Sequence, residues 1–172
     1  MPTHPEHPPE WIATAPISVE RSVEIAATPA EVWRHVADHE SWPDWFGALS
    51  KVEVTGEATG VGGRRRVSIK GPSGLDEVFT AWDENERFAF AVVGSKVPFL
   101  AALAESVELE PIELGSGDAG CRVTYRQGLE LRRGFGWMGS RSTRLLGDQL
   151  TKGLTGLKTQ VERSPTPDDT PS

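Results

Sequence analysis

The C-terminal stretch WMGSRSTRLLGDQLTKGLTGLKTQV, residues 137–161, carries the pattern that decides the fold. Its apolar side chains recur at spacings of three and four residues, at Leu146, Leu150, Leu154, Leu157 and Val161. Because an α-helix completes a turn in about 3.6 residues, these side chains share one stripe of a long helix. Three glycines interrupt the pattern, each at a cost of about 1 kcal/mol relative to alanine: Gly147, Gly153 and Gly156. A helix that keeps them is expected to be held by tertiary packing, and the glycines either leave room for a cavity or allow close contact.

Most of the chain before this helix is predicted to form β-strands. From residue 17 onward apolar and polar residues alternate, which predicts a half-buried first strand. Six further strand-like runs follow, at residues 49–55, 64–69, 75–82, 88–93, 105–112 and 122–131. Short turns separate most of them, so neighbouring strands are expected to pair as antiparallel hairpins. Residues 95–104 contain Pro98 and several alanines, and the pattern there is compatible with a loop or with a short helical turn.

Two short helices are predicted between the first strand and the second. Thr28 has the chemistry of an N-cap, Pro29 suits the first helical position, and Glu31 completes a capping box. A second helix is predicted over residues 41–46, which carry three large aromatic side chains: Trp42, Trp45 and Phe46. Such side chains are costly to expose, so we expect them to cap a core or to line a pocket.

A single domain, residues 17–163, is predicted between two tails. A chain of 172 residues is long enough to bury roughly 70% of its unfolded surface around one core. Residues 1–16 and 164–172 are rich in proline and poor in periodic apolar residues. Because such segments bury too little apolar surface to offset the entropy of ordering, both are expected to be disordered. Trp11 is the one tail side chain that we expect to fold back onto the domain.

Composition argues against several classes of partner. The formal net charge of −7 disfavours nucleic acid, whose binding depends on clustered Lys and Arg. No apolar run approaches the roughly 20 residues of a membrane-spanning helix, and the N-terminus lacks the apolar region of a signal peptide. The lone Cys121 excludes an internal disulfide and is expected to be a buried thiol. These features predict a cytoplasmic protein, and they leave the oligomeric state open.

No metal or cofactor is predicted. His35 and His39 stand four residues apart, a spacing that can hold zinc on a helix, but no third ligand lies nearby in the sequence. His4 and His7 fall in the predicted N-terminal tail. The chain also lacks a zinc signature, a phosphate-binding loop and a nucleophile elbow.

Three short runs resemble a known family. They are Val-Glu-Ile-Ala-Ala-Thr-Pro-Ala-Glu-Val-Trp at residues 23–33, Trp-Pro-Asp-Trp at residues 42–45, and Gly56 with Val61-Gly62. The resemblance is to the polyketide cyclase/dehydrase and lipid-transport family of the START-like, helix-grip superfamily, and it covers roughly residues 18–160. It implies an α+β helix-grip fold, in which a curved antiparallel sheet wraps around the C-terminal helix. It also implies an internal cavity for a hydrophobic or amphipathic small molecule such as a lipid, quinone or polyketide.

Strand parity marks polar residues at positions that otherwise face the core. These are Arg21, Arg65, Glu77, Tyr125 and Gln127. Because a buried charge is costly unless paired, either arginine would pair with Glu77 or bind a ligand carboxylate. A β-bulge or register shift would instead place several of them in solvent. The predicted cavity lining comprises Arg21, Glu77, Tyr125 and Gln127 together with the apolar residues Trp45, Phe46, Val67, Ile69, Phe79, Phe90, Leu146 and Leu150.

Three functions remain compatible with the sequence. The first is a carrier or sensor that binds a hydrophobic or amphipathic small molecule. The second is a cyclase/dehydrase-type enzyme, in which Arg65, Glu77 and Tyr125 are the catalytic candidates for acid–base chemistry. The third is a protein-interaction module resembling activators of the Hsp90 ATPase, which would show an exposed apolar patch and a collapsed interior. The fold by itself does not decide among them.

Overall fold

Seven antiparallel strands form one sheet that closes around a long C-terminal helix. The structure, a computed structural model, describes residues 1–71, 73–115 and 117–163. The predicted C-terminal tail, residues 164–172, lies outside the described residues. The elements in chain order are β1 Ile17–Ile25, α1 Pro29–Ala37, a 3-10 turn His39–Ser41, α2 Trp42–Trp45, β2 Leu49–Val54, β3 Arg64–Ile69, β4 Gly74–Asp83, β5 Arg87–Ser95, β6 Leu100–Glu113, β7 Ala119–Leu131, a 3-10 turn Gly136–Met138 and α3 Gly139–Arg163. The helix-grip fold predicted from the sequence is confirmed.

The strand order places the first and the last strand side by side. Neighbouring strands pair in the order β1-β7-β6-β5-β4-β3-β2, so that β1 and β2 are the two edges. Every strand from β2 to β6 pairs with the next one along the chain, as the short connections predict. The first strand crosses to β7, where Arg21 stands opposite Tyr125 and Val19 opposite Gln127. The sheet face toward α3 is called the inner face below.

The helix α3 packs through the stripe that its sequence predicts. Its buried side chains include Leu150, Leu154, Leu157 and Val161. The glycines serve close contact: a Cβ on Gly153 would lie 2.5 Å from the Phe46 ring, and one on Gly156 would overlap the Trp45 carbonyl oxygen. Of the two roles considered for these glycines, the structure therefore supports close packing.

The first helix begins as predicted. The Thr28 backbone N–H donates to the Glu31 carboxylate at 2.7 Å, and the Glu31 N–H donates to the Thr28 hydroxyl at 3.4 Å. This reciprocal capping box satisfies two backbone donors at the start of α1. Thr28 also fixes where the chain leaves β1, and α1 then buries Val32, Trp33 and Val36.

Two segments differ from their predicted conformations. The strand β6 begins at Leu100, so most of residues 95–104 is strand rather than loop or helical turn. Residues 9–14 form a 3-10 helix rather than part of a disordered tail. The reason is an apolar patch on the outer face of the sheet, formed by Val78, Ala91 and Ala104, which Ile12 covers. Residues 2–4 also bond to the backbone of β5.

Candidate functional site

A cavity of about 100 Å³ lies between the inner face of the sheet and the first half of α3. Half-buried side chains surround its mouth: Ala48, Leu49, Ile69, Leu146 and Gln149. Apolar and aromatic side chains form its walls: Trp42, Phe46, Val67, Leu75, Phe90 and Leu103. Polar side chains gather at its inner end: Arg65, Glu77, Glu105, Tyr125 and Gln127. The cavity therefore has an apolar entrance and a polar end.

Most of the residues that the sequence nominated for a cavity lie at this one. Eight of the nominated lining residues are in contact with it: Phe46, Val67, Ile69, Glu77, Phe90, Tyr125, Gln127 and Leu146. All three nominated catalytic residues, Arg65, Glu77 and Tyr125, are also at its polar end. The common reason is strand parity, since inward positions on β3, β4 and β7 converge where the sheet curves around α3.

Four nominated residues do not line the cavity. Arg21 lies on the edge strand β1; its side chain passes over Gly147 of α3 and is exposed. Trp45 packs on Trp42 and Phe46, so it supports the wall from behind. Phe79 lies farther along the sheet against Trp82 and Phe88, and Leu150 is buried one helical turn beyond Leu146. These four assignments are corrected. Parity fixes the face of a strand but neither the position along it nor the path of a side chain on an edge strand, and Trp45 and Leu150 lie on helices, to which parity does not apply.

Arg65 and Glu77 form a buried ion pair at the polar end. They are cross-strand neighbours, and Arg65 Nε donates to Glu77 Oε2 at 2.6 Å. The side chains are 1% and 3% exposed. The Arg65 guanidinium also lies over the ring of Trp42, 4.1 Å from its centroid, and over that of Phe90 at 4.4 Å. Burial raises the pKa of Glu77, and Arg65 opposes that rise. Of the two arginines considered as partners, Arg65 is the one that pairs.

His39 completes this ion-pair corner, which we define as His39, Arg65 and Glu77. Its Nδ1 lies 3.2 Å from Arg65 Nη1, and its Nε2 lies 2.9 Å from the Ala58 carbonyl oxygen. Because arginine can only donate, Nδ1 accepts and Nε2 carries the proton. Burial and the nearby Arg65 charge lower the pKa of His39 to about 4, so the ring is neutral near pH 7. The Nδ1 acceptor of His39 is thus occupied by its hydrogen bond from Arg65.

The described residues contain no group of three or more His, Cys, Asp or Glu side chains placed to hold a metal ion. His35 lies on α1, whereas His39 follows in the 3-10 turn and points into the ion-pair corner. Cys121 is fully buried, and burial raises the pKa of its thiol to about 11. A thiol with so high a pKa stays protonated near pH 7 and is a poor nucleophile.

Glu105 is the important residue that the sequence reasoning missed. It is buried on β6, where the Tyr125 hydroxyl donates to Glu105 Oε2. Burial, together with the nearby Glu77 charge, raises the pKa of Glu105 to about 7. Burial also raises the pKa of Tyr125 well above its usual value. The signal was available in the sequence, because Glu105, Val107 and Leu109 alternate along one strand face.

Gln127 lies beside this pair and leaves one acceptor without a partner. It stands opposite Glu105 in the strand register and forms a side-chain hydrogen bond with it. Its Oε1 is buried and accepts no hydrogen bond from the residues that the structure describes. A buried acceptor of this kind costs about 1–3 kcal/mol. We call Glu105, Tyr125 and Gln127 the cavity corner.

Other lining residues were also absent from the sequence nominations: Trp42, Ala48, Leu49, Leu75, Leu103 and Gln149. Ala48 and Leu49 reach the mouth because the chain turns from α2 into β2 beside α3. No local sequence pattern specifies that approach.

No helix of the described residues is long and apolar enough to cross a membrane.

Known proteins resemble this chain in both sequence and fold. Residues 16–162 match the family described as polyketide cyclase/dehydrase and lipid transport. An uncharacterised protein of Mycobacterium bovis is 31% identical over 119 residues, which span 69% of this chain and 68% of that protein. An uncharacterised protein of Mycobacterium tuberculosis matches to the same extent.

Solved structures share the architecture at low sequence identity. A START superfamily protein from Mycobacterium smegmatis superposes with a TM-score of 0.70 at 16% identity, over 85% of this chain and 97% of that one. The ZhuI aromatase/cyclase from Streptomyces sp. R1128 gives 0.64 at 16% identity, over 85% and 93% of the two chains. At this identity the likeness concerns the fold, whereas the family match extends along almost the whole described chain. The chain therefore belongs to the polyketide cyclase/dehydrase and lipid transport family.

Proposed function

We propose that this protein binds a hydrophobic or amphipathic small molecule in the cavity, as a carrier or a sensor. The observation that carries the proposal is the unpartnered Oε1 of Gln127 at the polar end of a cavity whose walls are apolar. Ligand sites typically combine apolar walls with a few placed polar groups. A ligand hydroxyl would satisfy this acceptor, and the apolar part of the ligand would contact the walls.

The size of the cavity narrows the class of ligand. Its volume of about 100 Å³ is smaller than the roughly 300–1,000 Å³ of a typical ligand pocket. An engineered apolar cavity of about 150 Å³ holds benzene. We therefore propose that a polar group smaller than a benzene ring enters the polar end. The rest of the ligand would extend past Leu49, Ile69 and Leu146 at the mouth, as a lipid, quinone or polyketide can.

A second candidate function is acid–base catalysis of the cyclase/dehydrase type. It is favoured by Glu105, whose pKa of about 7 suits a general base or acid near neutral pH. In this scheme Glu105 would take a proton from the bound molecule, and Gln127 and Tyr125 would orient it. Glu105 replaces Glu77 as the preferred proton acceptor, because Glu77 is held by Arg65. The similarity to the ZhuI aromatase/cyclase supports this candidate through the fold.

The cavity favours both ligand hypotheses over a protein-interaction module resembling activators of the Hsp90 ATPase, for which we expected a collapsed interior together with an exposed apolar patch. A cytoplasmic location, expected from the single cysteine, is also part of the proposal.

The proposal is tested by native mass spectrometry of the purified full chain, followed by organic extraction and identification of any bound compound. A stoichiometric hydrophobic compound is expected. A panel of lipids, quinones and aromatic polyketides then gives thermal shifts. Catalysis predicts in addition that a bound polyketide is converted, and that Glu105→Gln stops conversion while retaining binding.

Two adjacent substitutions provide a matched control. Leu146 lines the mouth, whereas Leu145 is exposed on the other side of the same turn. Leu146→Trp should fill the entrance and abolish the thermal shift, and Leu145→Trp should leave it unchanged. A purified protein without bound compound that also shows no thermal shift with any panel member would overturn the proposal, as would equal effects of the two tryptophans.

A further inference from the structure

A positively charged segment flanks the mouth of the cavity. Four arginines occur between Leu131 and Gly147, and no Asp or Glu occurs between Glu130 and Asp148: Arg132, Arg133, Arg141 and Arg144. This is notable in a chain whose formal net charge is −7. Among the residues that the structure describes, none of these four arginines forms an ion pair. We call residues 131–147 the arginine segment.

The same segment exposes large apolar side chains. Trp137 is 75% exposed and Leu145 is 58% exposed. In the part of the chain that the structure describes, only Met1 and Val61 are comparable exposed large hydrophobic residues. A tryptophan and a leucine exposed between arginines leave apolar area in water, which indicates a surface that is covered in use.

Helical geometry brings the side chains of the segment that lie on α3 to one surface. Arg141, Arg144 and Leu145 are three and four residues apart, so they share a face of α3. That face is opposite the buried stripe of Leu150, Leu154 and Leu157. Trp137 lies in the 3-10 turn that leads directly into α3. Leu146, the residue that follows Leu145 along the helix, lines the mouth of the cavity.

We infer that the arginine segment docks on the surface of an anionic lipid bilayer. Bilayers with anionic lipids attract arginine side chains, and tryptophan is enriched at the depth of the lipid headgroups. Arginine can place its aliphatic stem against apolar material while its guanidinium contacts phosphate. A helix with such a face lies along the membrane surface and does not span it. An acidic protein surface would also attract the charges, but it gives no reason for exposing Trp137 and Leu145 together with them.

Docking in this orientation would place the segment of α3 that borders the cavity at the bilayer. Leu146 and Gln149 line the cavity mouth, whereas Arg144 and Leu145 lie on the other side of the same part of the helix. The docking inference itself does not depend on which compound the cavity binds.

The experiment is flotation of the full chain with two vesicle compositions. One is phosphatidylcholine alone, and the other contains about a quarter phosphatidylglycerol. Binding is expected to the anionic vesicles and to weaken as salt is raised, because salt screens the attraction. Arg141→Gln with Arg144→Gln should lower the partition coefficient roughly 20- to 30-fold. Trp137→Ser should also lower the partition coefficient. Less of the binding should then persist at high salt.

Control variants separate a specific surface from net charge. Arg34→Gln with Lys96→Gln removes the same charge from exposed positions elsewhere and should leave binding within about twofold. Val61→Ser is the matched control for Trp137→Ser, since Val61 is also exposed. The absence of flotation with anionic vesicles would overturn the inference, as would equal losses in the control variants. Binding of a cavity ligand, measured on the same variants by native mass spectrometry, shows that failure to dock is separate from failure to bind ligand.

Discussion

The ion-pair corner and the cavity corner each hold a buried glutamate on the inner face of the same sheet. In the ion-pair corner, Glu77 faces Arg65 at 2.6 Å, and Arg65 is in turn bonded to His39 and covered by aromatic rings. In the cavity corner, Glu105 has only the neutral partners Tyr125 and Gln127, and one Gln127 oxygen stays unpartnered. Both carboxyl groups are buried to a similar degree.

The difference shows that burial alone does not give a carboxyl group a role in ligand binding or catalysis. A carboxylate with a cation at hydrogen-bond distance has its charge compensated, and the pair is part of the packed core. A carboxyl group with neutral partners can exchange its proton near neutral pH, and an unpartnered acceptor beside it can receive a ligand donor. We therefore assign a structural role to the first corner and the binding role to the second.

The largest expected effect is the loss of the buried cation. Arg65→Met would leave Glu77 buried without a partner, and it should lower the free energy of unfolding by about 3–5 kcal/mol. Denaturant titration of the purified variants measures this change. Arg66→Met is the matched control: Arg66 pairs with Asp76 in the same register one residue away, but in solvent, so its loss should be much smaller.

A double variant sharpens the interpretation. Arg65→Met combined with Glu77→Leu removes both charges and should recover most of the lost stability, since no uncompensated charge remains. Equal stability of the Arg65→Met and Arg66→Met variants would contradict the structural role of the ion-pair corner.

Glu105 of the cavity corner and His39 of the ion-pair corner should respond to pH in opposite directions. The pKa of Glu105 is about 7 in the folded state, against an ordinary value of 4.5. The folded state therefore holds this proton more tightly, and the resulting stability is complete below about pH 4.5 and is lost as pH rises through about 7. The pKa of His39 is about 4, below its ordinary 6.5, so its contribution is complete above about pH 6.5 and is lost as pH falls through about 4. Each contribution is about 3 kcal/mol, and the two partly cancel in the wild type.

Variants in which Glu105 or His39 is replaced by a side chain that does not titrate should separate the two pH-dependent contributions to stability. Glu105→Gln should leave a protein that loses stability only toward acid, and His39→Gln one that loses it toward neutral pH. Urea unfolding from about pH 4 to pH 8 gives both profiles. If either variant keeps the wild-type profile, its proton does not control stability as the geometry indicates.

The smallest expected effect on stability is at Gln127. Gln127→Met removes a hydrogen bond to Glu105 but also removes the buried unpartnered oxygen, so the free energy of unfolding should change by less than about 1 kcal/mol. Affinity for a cavity ligand should fall about tenfold, because one hydrogen bond to the ligand is lost. Isothermal titration with the extracted compound measures the change. A large loss of stability with unchanged affinity would show that Gln127 has a structural role and not a ligand-binding one.

Alternation along the strands predicted much of the candidate site. It selected Glu77, Tyr125 and Gln127 as inward residues, and all three reach the cavity. It failed for Arg21, because on the edge strand an inward side chain can pass over α3 to solvent. It would have found Glu105 if the same argument had been applied to β6. Residues 9–14 could not be placed from their own sequence, since the apolar patch that they cover comes from three distant strands.

The sequence by itself determined the elements and their order. The capping box at Thr28, the period of the C-terminal helix and the alternation of the strands are local properties of the chain, and each corresponds to an element of the structure. Only the tertiary structure decided which buried polar residues meet. Arg65 pairs with Glu77, and Tyr125 with Glu105, because the sheet curves around α3 and brings four strands to one end of the cavity. Protonation and partner choice depend on those distances through space, which local sequence patterns do not encode.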